Sequence, residues 1–210
     1  AVQFFDPTSR VVIPDATQLQ FDDRFTISLW YQADPIPRNE RRRLVGKWDG
    51  NYTERPRGAI MLSLVGERND RDARYEWHIG DENGFIQTLE SDGIVRTGEW
   101  NHVAIRMIMG HLAIFHNGVE VATGFLPGAT LADSTWLWGI GADGSGPNQQ
   151  PESFRGLLDE VRFFNAALSD EEVSALTDER MVRLNNAQPG DGDIVDRNQP
   201  TAILIFNGDV

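Results

Sequence analysis

The stretch Phe154–Leu176, FRGLLDEVRFFNAALSDEEVSAL, decides how this chain is read. Its first half is apolar and strand-like, and an acidic pair, Asp159-Glu160, sits inside it. Successive side chains of a strand point to opposite faces. Strict alternation would therefore put Leu157, Asp159, Val161 and Phe163 on one face, and Leu158, Glu160, Arg162 and Phe164 on the other. Asp159 would then share a face with core-type residues. There a lone carboxylate loses several kcal/mol of solvation unless it is paired or ligated. The second half opens a helix. Ser169 is followed three residues later by Glu172, the spacing of a capping box, and Val173 and Leu176 then form a short apolar stripe.

The alternation extends outward along the chain. Phe25, Ile27, Leu29 and Tyr31 alternate with Thr26, Ser28, Trp30 and Gln32, and Val103, Ile105 and Met107 alternate with His102, Ala104 and Arg106. Ile60, Leu62 and Leu64 repeat the pattern, as do further runs near 2–5, 11–13, 43–48, 74–80, 84–89 and 136–140. Asn117-Gly118 lies between two alternating runs, and this dipeptide marks a tight hairpin because both turn positions need positive φ. Many short strands, turn residues between them and one helix after the last core strand predict an all-β antiparallel β-sandwich. The predicted domain spans residues 1–184. Residues 185–210 read as a polar tail with a terminal strand, TAILIF, suited to a sheet edge, a linker or a contact with another chain.

Composition narrows the partners. The net charge of −13 over 210 residues argues against nucleic acid, whose phosphates need a basic stripe. Arg41-Arg42-Arg43, beside acidic residues, reads as a solvated turn rather than a phosphate site. No apolar run approaches the ~18 residues of a membrane span. The chain starts at Ala1 rather than Met and reads as a processed or excised piece, and it has no cysteine.

Several segments together resemble laminin-G-like domains of the concanavalin A-like jelly-roll superfamily. The opening through FTISLW, then LVGKWDG, then GEWNHVAIRMIMGHLAIFHNGVEVATG, and finally FRGLLDEVRFFNAALSDEEVSAL follow in that family's order over roughly residues 1–177. The resemblance implies two curved sheets with a concave face and loops as ligand sites. The C-terminal half is also similar to pentraxins. That likeness implies calcium ligands in the loop GADGSGPNQQPESF, where Asp143, Gln150 and Glu152 are oxygen donors. The second pentraxin ligand position reads Arg38-Asn39, where a cation replaces the acid.

Three readings of Asp159 are open: an acceptor of backbone N–H bonds, a ligand of a structural calcium shared with carbonyls near the N-terminal strand, or a catalytic group. A hard cation wants six to eight oxygens. Related glucan-cleaving sandwiches carry E-x-D-x-x-E on one strand. That motif does not occur here, nor does a paired-His zinc motif or a phosphate loop. KWDGNY offers Trp48, Asp49, Asn51 and Tyr52 as a sugar platform, although Trp48 fits a core equally well.

The expected function is a non-catalytic recognition module that binds a glycan or glycoconjugate with calcium as the implied ion. The resemblance implies an extracellular, cell-surface or virion setting. The alternative is a structural or adhesion protein whose sandwich contacts other protein chains, as a homo-oligomer or within a larger assembly.

Overall fold

The computed structural model describes residues 1–6, 8–48, 58–93, 95–127, 130–131, 134–144, 152–185 and 202–204. Two antiparallel sheets stack face to face. The first contains β1 (Val2–Phe4), β3 (Arg24–Ala33), β9 (Trp100–Ile108), β10 (His111–His116), β11 (Val119–Phe125) and β13 (Gly156–Phe164), in the order β1-β13-β3-β9-β10-β11. The second contains β2 (Val11–Ile13), β4 (Arg41–Lys47), β5 (Ile60–Gly66), β6 (Asp72–Gly80), β7 (Ile86–Glu90) and β12 (Trp138–Ile140), in the order β2-β12-β4-β5-β6-β7. A two-residue strand β8 (Val95–Arg96) pairs with β6, and β14 (Ala202–Leu204) pairs with β13. The tail strand therefore extends the first sheet at its edge, beside the stretch of β13 held by β1.

The alternating residues meet between the layers as expected. Phe25, Ile27, Leu29 and Tyr31 from β3 and Val103, Ile105 and Met107 from β9 face Leu62, Leu64, Tyr75, Trp77 and Ile79 across one core. Two aromatic hydroxyls cross that core. Tyr31 and Tyr75, from opposite sheets, lie 2.7 Å apart through their hydroxyls, and the Tyr75 hydroxyl lies 2.8 Å from His116 Nδ1. Burial pushes both phenols up, so they stay protonated donors and satisfy one another where water is absent. At the hairpin between β10 and β11, Asn117 and Gly118 both adopt positive φ, 49° and 79°.

Strict alternation fails in β13, and the failure corrects the expected placement of Asp159. Asp159 is opposite Trp30 and Arg162 opposite Ser28, so Glu160 and Val161 together face the single residue Leu29. This is a β-bulge, and Glu160 takes the left-handed conformation with φ of 49°. The extra residue resets the faces. Leu158 before the bulge and Val161 and Phe163 after it all join the core, whereas Asp159 lies on the other face. Its Oδ1 accepts the backbone N–H of Glu160 at 2.9 Å and its Oδ2 is 3.4 Å from the Ala1 amino group. Glu160 and Arg162 pair at 2.8 Å as a same-face pair, but both are buried rather than at the surface.

Part of the outer face of the first sheet, around Ala104, Ala113, Phe115 and Phe164, is covered by α1 (Asp170–Asn185). The capping box forms: Ser169 Oγ accepts the Glu172 N–H at 3.2 Å and Glu172 Oε2 accepts the Ser169 N–H at 2.8 Å. Val173 and Leu176 then pack on Ala104, Ala113, Phe115 and Phe164. Arg106 ties the helix start down, with Nη1 donating to the Leu168 carbonyl at 2.8 Å while its guanidinium lies over the Phe115 ring.

Candidate functional site: the outer face of the second sheet

The outer face of the second sheet is charged. The register aligns its side chains in rows across β4, β5, β6 and β7. Arg41, Val65 and Arg74 form one row, Arg43, Ser63, Glu76 and Glu90 the next, and Gly46, Met61, His78 and Thr88 a third. The tri-arginine run is thus part of β4 and not a solvated turn: the pleat carries Arg43 into the sheet face, where it is 2% exposed.

Arg43 is the hub. Its Nη1 donates to Ser63 Oγ at 2.6 Å and its Nη2 to Glu152 Oε2 at 2.5 Å. Its Nε lies 2.8 Å from Asp143 Oδ1, an ion contact off the hydrogen-bond axis. Asp143 reaches this position because the sheet surface is cut away beneath it. Gly46 and Gly139 are paired neighbours on β4 and β12. A Cβ on Gly46 would sit 2.7 Å from Asp143 Oδ1, and one on Gly139 would run into the backbone of Ala142 and Asp143. The turn after β12 lies on this glycine pair and delivers the carboxylate. A side chain there lifts the turn. Gly139→Ala is expected to cost about 1–3 kcal/mol, measured by chemical denaturation, because the clashing atoms are backbone and cannot rotate away.

The remaining guanidiniums are also committed. Arg41 makes a two-point contact with Glu76, Nε to Oε1 at 2.5 Å and Nη2 to Oε2 at 3.2 Å. Arg74 donates to Glu67 at 2.5 Å and to Glu90 at 2.9 Å. Burial works to raise the Glu76 carboxyl, but the Arg41 hydrogen bond and the nearby His78, Arg41 and Arg74 charges outweigh it and hold the group below its usual range. Burial, helped by the Glu152 charge, raises the Asp143 carboxyl, with Arg43 and, more weakly, Arg10 opposing. His78 is pushed down, first by burial and then by Arg43 and Arg41 against the pull of Glu76, so its imidazole is neutral at physiological pH. Arg41, His78, Glu90 and Glu152 keep part of their side chains in solvent.

The residues singled out from sequence fall in different places. Asp143 and Glu152 do come together, but on Arg43, so the cation between them is a guanidinium. Asp159 lies on the first sheet and does not join them. No group of three or more His, Cys, Asp or Glu able to hold a metal occurs among the described residues. Trp48 is fully buried with Ala59 and Met61, and half-buried Trp136 packs against this cluster. Asp49, Asn51, Tyr52 and Gln150 lie outside the described residues. Arg43, Ser63 and Glu76 were missed as a group. Their only signal was the shared row, which needs the pairing of three strands to be known.

Comparison with known proteins follows the same lines. Residues 5–174 match the family described as the concanavalin A-like lectin/glucanases superfamily. No curated protein matches the sequence. Among solved structures, domain 4 of AbnA, a GH43 extracellular arabinanase from Geobacillus stearothermophilus in complex with arabinotriose, is 21% identical with a TM-score of 0.58, covering 82% of this chain and 74% of that one. The CBM40 of Ruminococcus gnavus IT-sialidase bound to α2,3 sialyllactose is 17% identical with a TM-score of 0.64, covering 84% and 95%. The heptameric SAP-like pentraxin of Limulus polyphemus is 14% identical with a TM-score of 0.56, covering 80% and 81%. At these identities the likeness is one of fold.

Proposed function

We propose that this chain, which belongs to the concanavalin A-like lectin/glucanases superfamily, is a non-catalytic glycan-recognition module that works outside the cell through the outer face of its second sheet. The observation that carries this reading is the contrast between the two outer faces. The first carries an apolar cluster packed under α1, whereas the second holds a fixed array of donors and acceptors with Arg41, His78, Glu90 and Glu152 partly open to solvent. Saccharide recognition needs such groups, held in place before the ligand arrives, to fix hydroxyls. Two similar structures are described in complex with saccharides, which supports the choice of ligand class. Asp49, Asn51 and Tyr52, directly after β4, are proposed as further contacts, with Trp48 as buried support rather than a stacking surface. Calcium is not needed at Asp143 and Glu152 in this reading, because Arg43 supplies their positive charge. An ion, if bound, belongs at Asp159.

Binding of neutral oligosaccharides, measured on a glycan array and by calorimetry, is the expected result. His78→Ala should weaken it by about tenfold, on the order of 1.4 kcal/mol. Phe125→Ala, an exposed residue at the far end of the first sheet, should leave it unchanged. Absence of binding to any glycan, or binding indifferent to His78, overturns the proposal. The alternative of a structural or adhesion component is favoured by one feature, the ladder that β14 adds along β13, since a strand from a neighbouring chain fits the same edge.

A further inference from the structure

Resting on that reading of the site, we infer that this face selects neutral glycans and rejects those carrying a carboxylate, such as sialic or uronic acid caps. The inference comes from counting what the guanidiniums already hold. A carboxylated sugar is recognised by cationic donors turned toward it, Arg above all, because its fork matches both oxygens. Among the described residues, β4 and β6 place three guanidiniums on this face, Arg41, Arg43 and Arg74, and five carboxylates are paired to them: Glu67, Glu76, Glu90, Asp143 and Glu152. With Arg10, whose charge also acts on Asp143, the formal balance of these described groups is four minus five, or −1.

The pairing leaves little to share. Every nitrogen of Arg43 is in contact with Ser63, Asp143 or Glu152. Arg41 closes a two-point contact on the buried Glu76, and Arg74 divides its fork between Glu67 and Glu90. An arriving carboxylate would have to displace a carboxylate that is already seated and would then remain beside the others. His78 adds no compensating charge, since it is neutral. The net charge of −13 repels the same ligands from a distance, but salt screens that effect beyond ~8 Å, so the local pairs set the preference. Sugar hydroxyls carry no such penalty and can accept from or donate to the outer edges of the same groups.

The test uses an array on which each neutral oligosaccharide is printed with and without a sialic acid or uronic acid cap, probed with the whole chain at physiological salt. Capped forms should bind at least about tenfold more weakly than their uncapped partners. The double variant Glu67→Gln/Glu90→Gln releases the fork of Arg74. In it the ratio of uncapped to capped affinity should shrink to about threefold or less, a gain that a misfolded protein would not produce. Equal or stronger binding of the capped forms by the unaltered chain overturns the inference while leaving glycan recognition intact. So does a ratio that the double variant does not move. If nothing on the array binds, glycan recognition itself falls, and this selectivity falls with it.

Discussion

Replacing Arg43 by alanine is expected to lower the unfolding free energy by about 3–5 kcal/mol, the largest effect of any single substitution on the charged face. Asp143 is the reason. Its side chain is 1% exposed, and the cation in direct contact with it is Arg43, with the Arg10 charge acting on it more weakly. Without the guanidinium the carboxylate must lose its charge, draw in water or lift its turn off Gly46 and Gly139. Glu152 is less constrained, with 23% of its side chain in solvent, and can turn outward. Removing both charges together, as in Arg43→Met with Asp143→Leu, should recover most of the loss, because a buried ion pair often contributes little over an apolar pair of similar volume. Urea titrations of the three proteins followed by circular dichroism check this. A loss below about 1 kcal/mol in Arg43→Ala would mean that Asp143 is not held by this contact.

The second large effect is acid sensitivity centred on His102. This residue lies on the outer side of the first sheet, 1% exposed, with its ring 5.3 Å from that of Trp30 and its Nδ1 without a hydrogen-bond partner. Burial first, then the Arg162 and His116 charges, push its pKa down to about 3. The unfolded chain takes up this proton near the ordinary value of about 6.5, whereas the folded chain resists until about 3. Between those values the unfolded state binds more protons, so stability is full above pH ~6.5 and falls as the pH drops, by about 1.4 kcal/mol per unit from this group alone. His78 and His116 are also lowered by burial and add in the same direction. His102→Phe keeps the ring and removes the titration. Its stability plotted against pH should be shallower between about 6 and 3.5 by roughly that amount. Identical slopes for the two proteins would show that His102 is not the buried neutral group described here.

The layers were legible in the sequence because each depends on short-range chemistry. Alternation along Phe25–Tyr31 and Val103–Met107, the Asn117-Gly118 turn and the Ser169–Glu172 capping box each act within a few residues, and all appear in the structure. The charged face was not legible. Arg43 and Asp143 are 100 positions apart, and nothing local says that a turn will settle on two glycines from different strands. The arginine run misled for a related reason. Three successive cations look solvated, yet the pleat separates them, and the partners that neutralise Arg41 and Arg43 come from β6, the turn after β12 and Glu152. Asp159 was misplaced by one residue's worth of geometry, since a bulge built on glutamate carries no glycine to announce it.

The bulge also has a consequence for descent. Remove Glu160 and the sequence Leu158-Asp159-Val161-Arg162-Phe163 alternates without interruption, inward and outward, with Val161 opposite Leu29. A deletion at this codon would leave every side chain of β13 on the side it already occupies, whereas a deletion elsewhere in the strand would turn one half of it inside out. Length variation among lineages of this strand should therefore collect at Glu160 and be purged on either side of it.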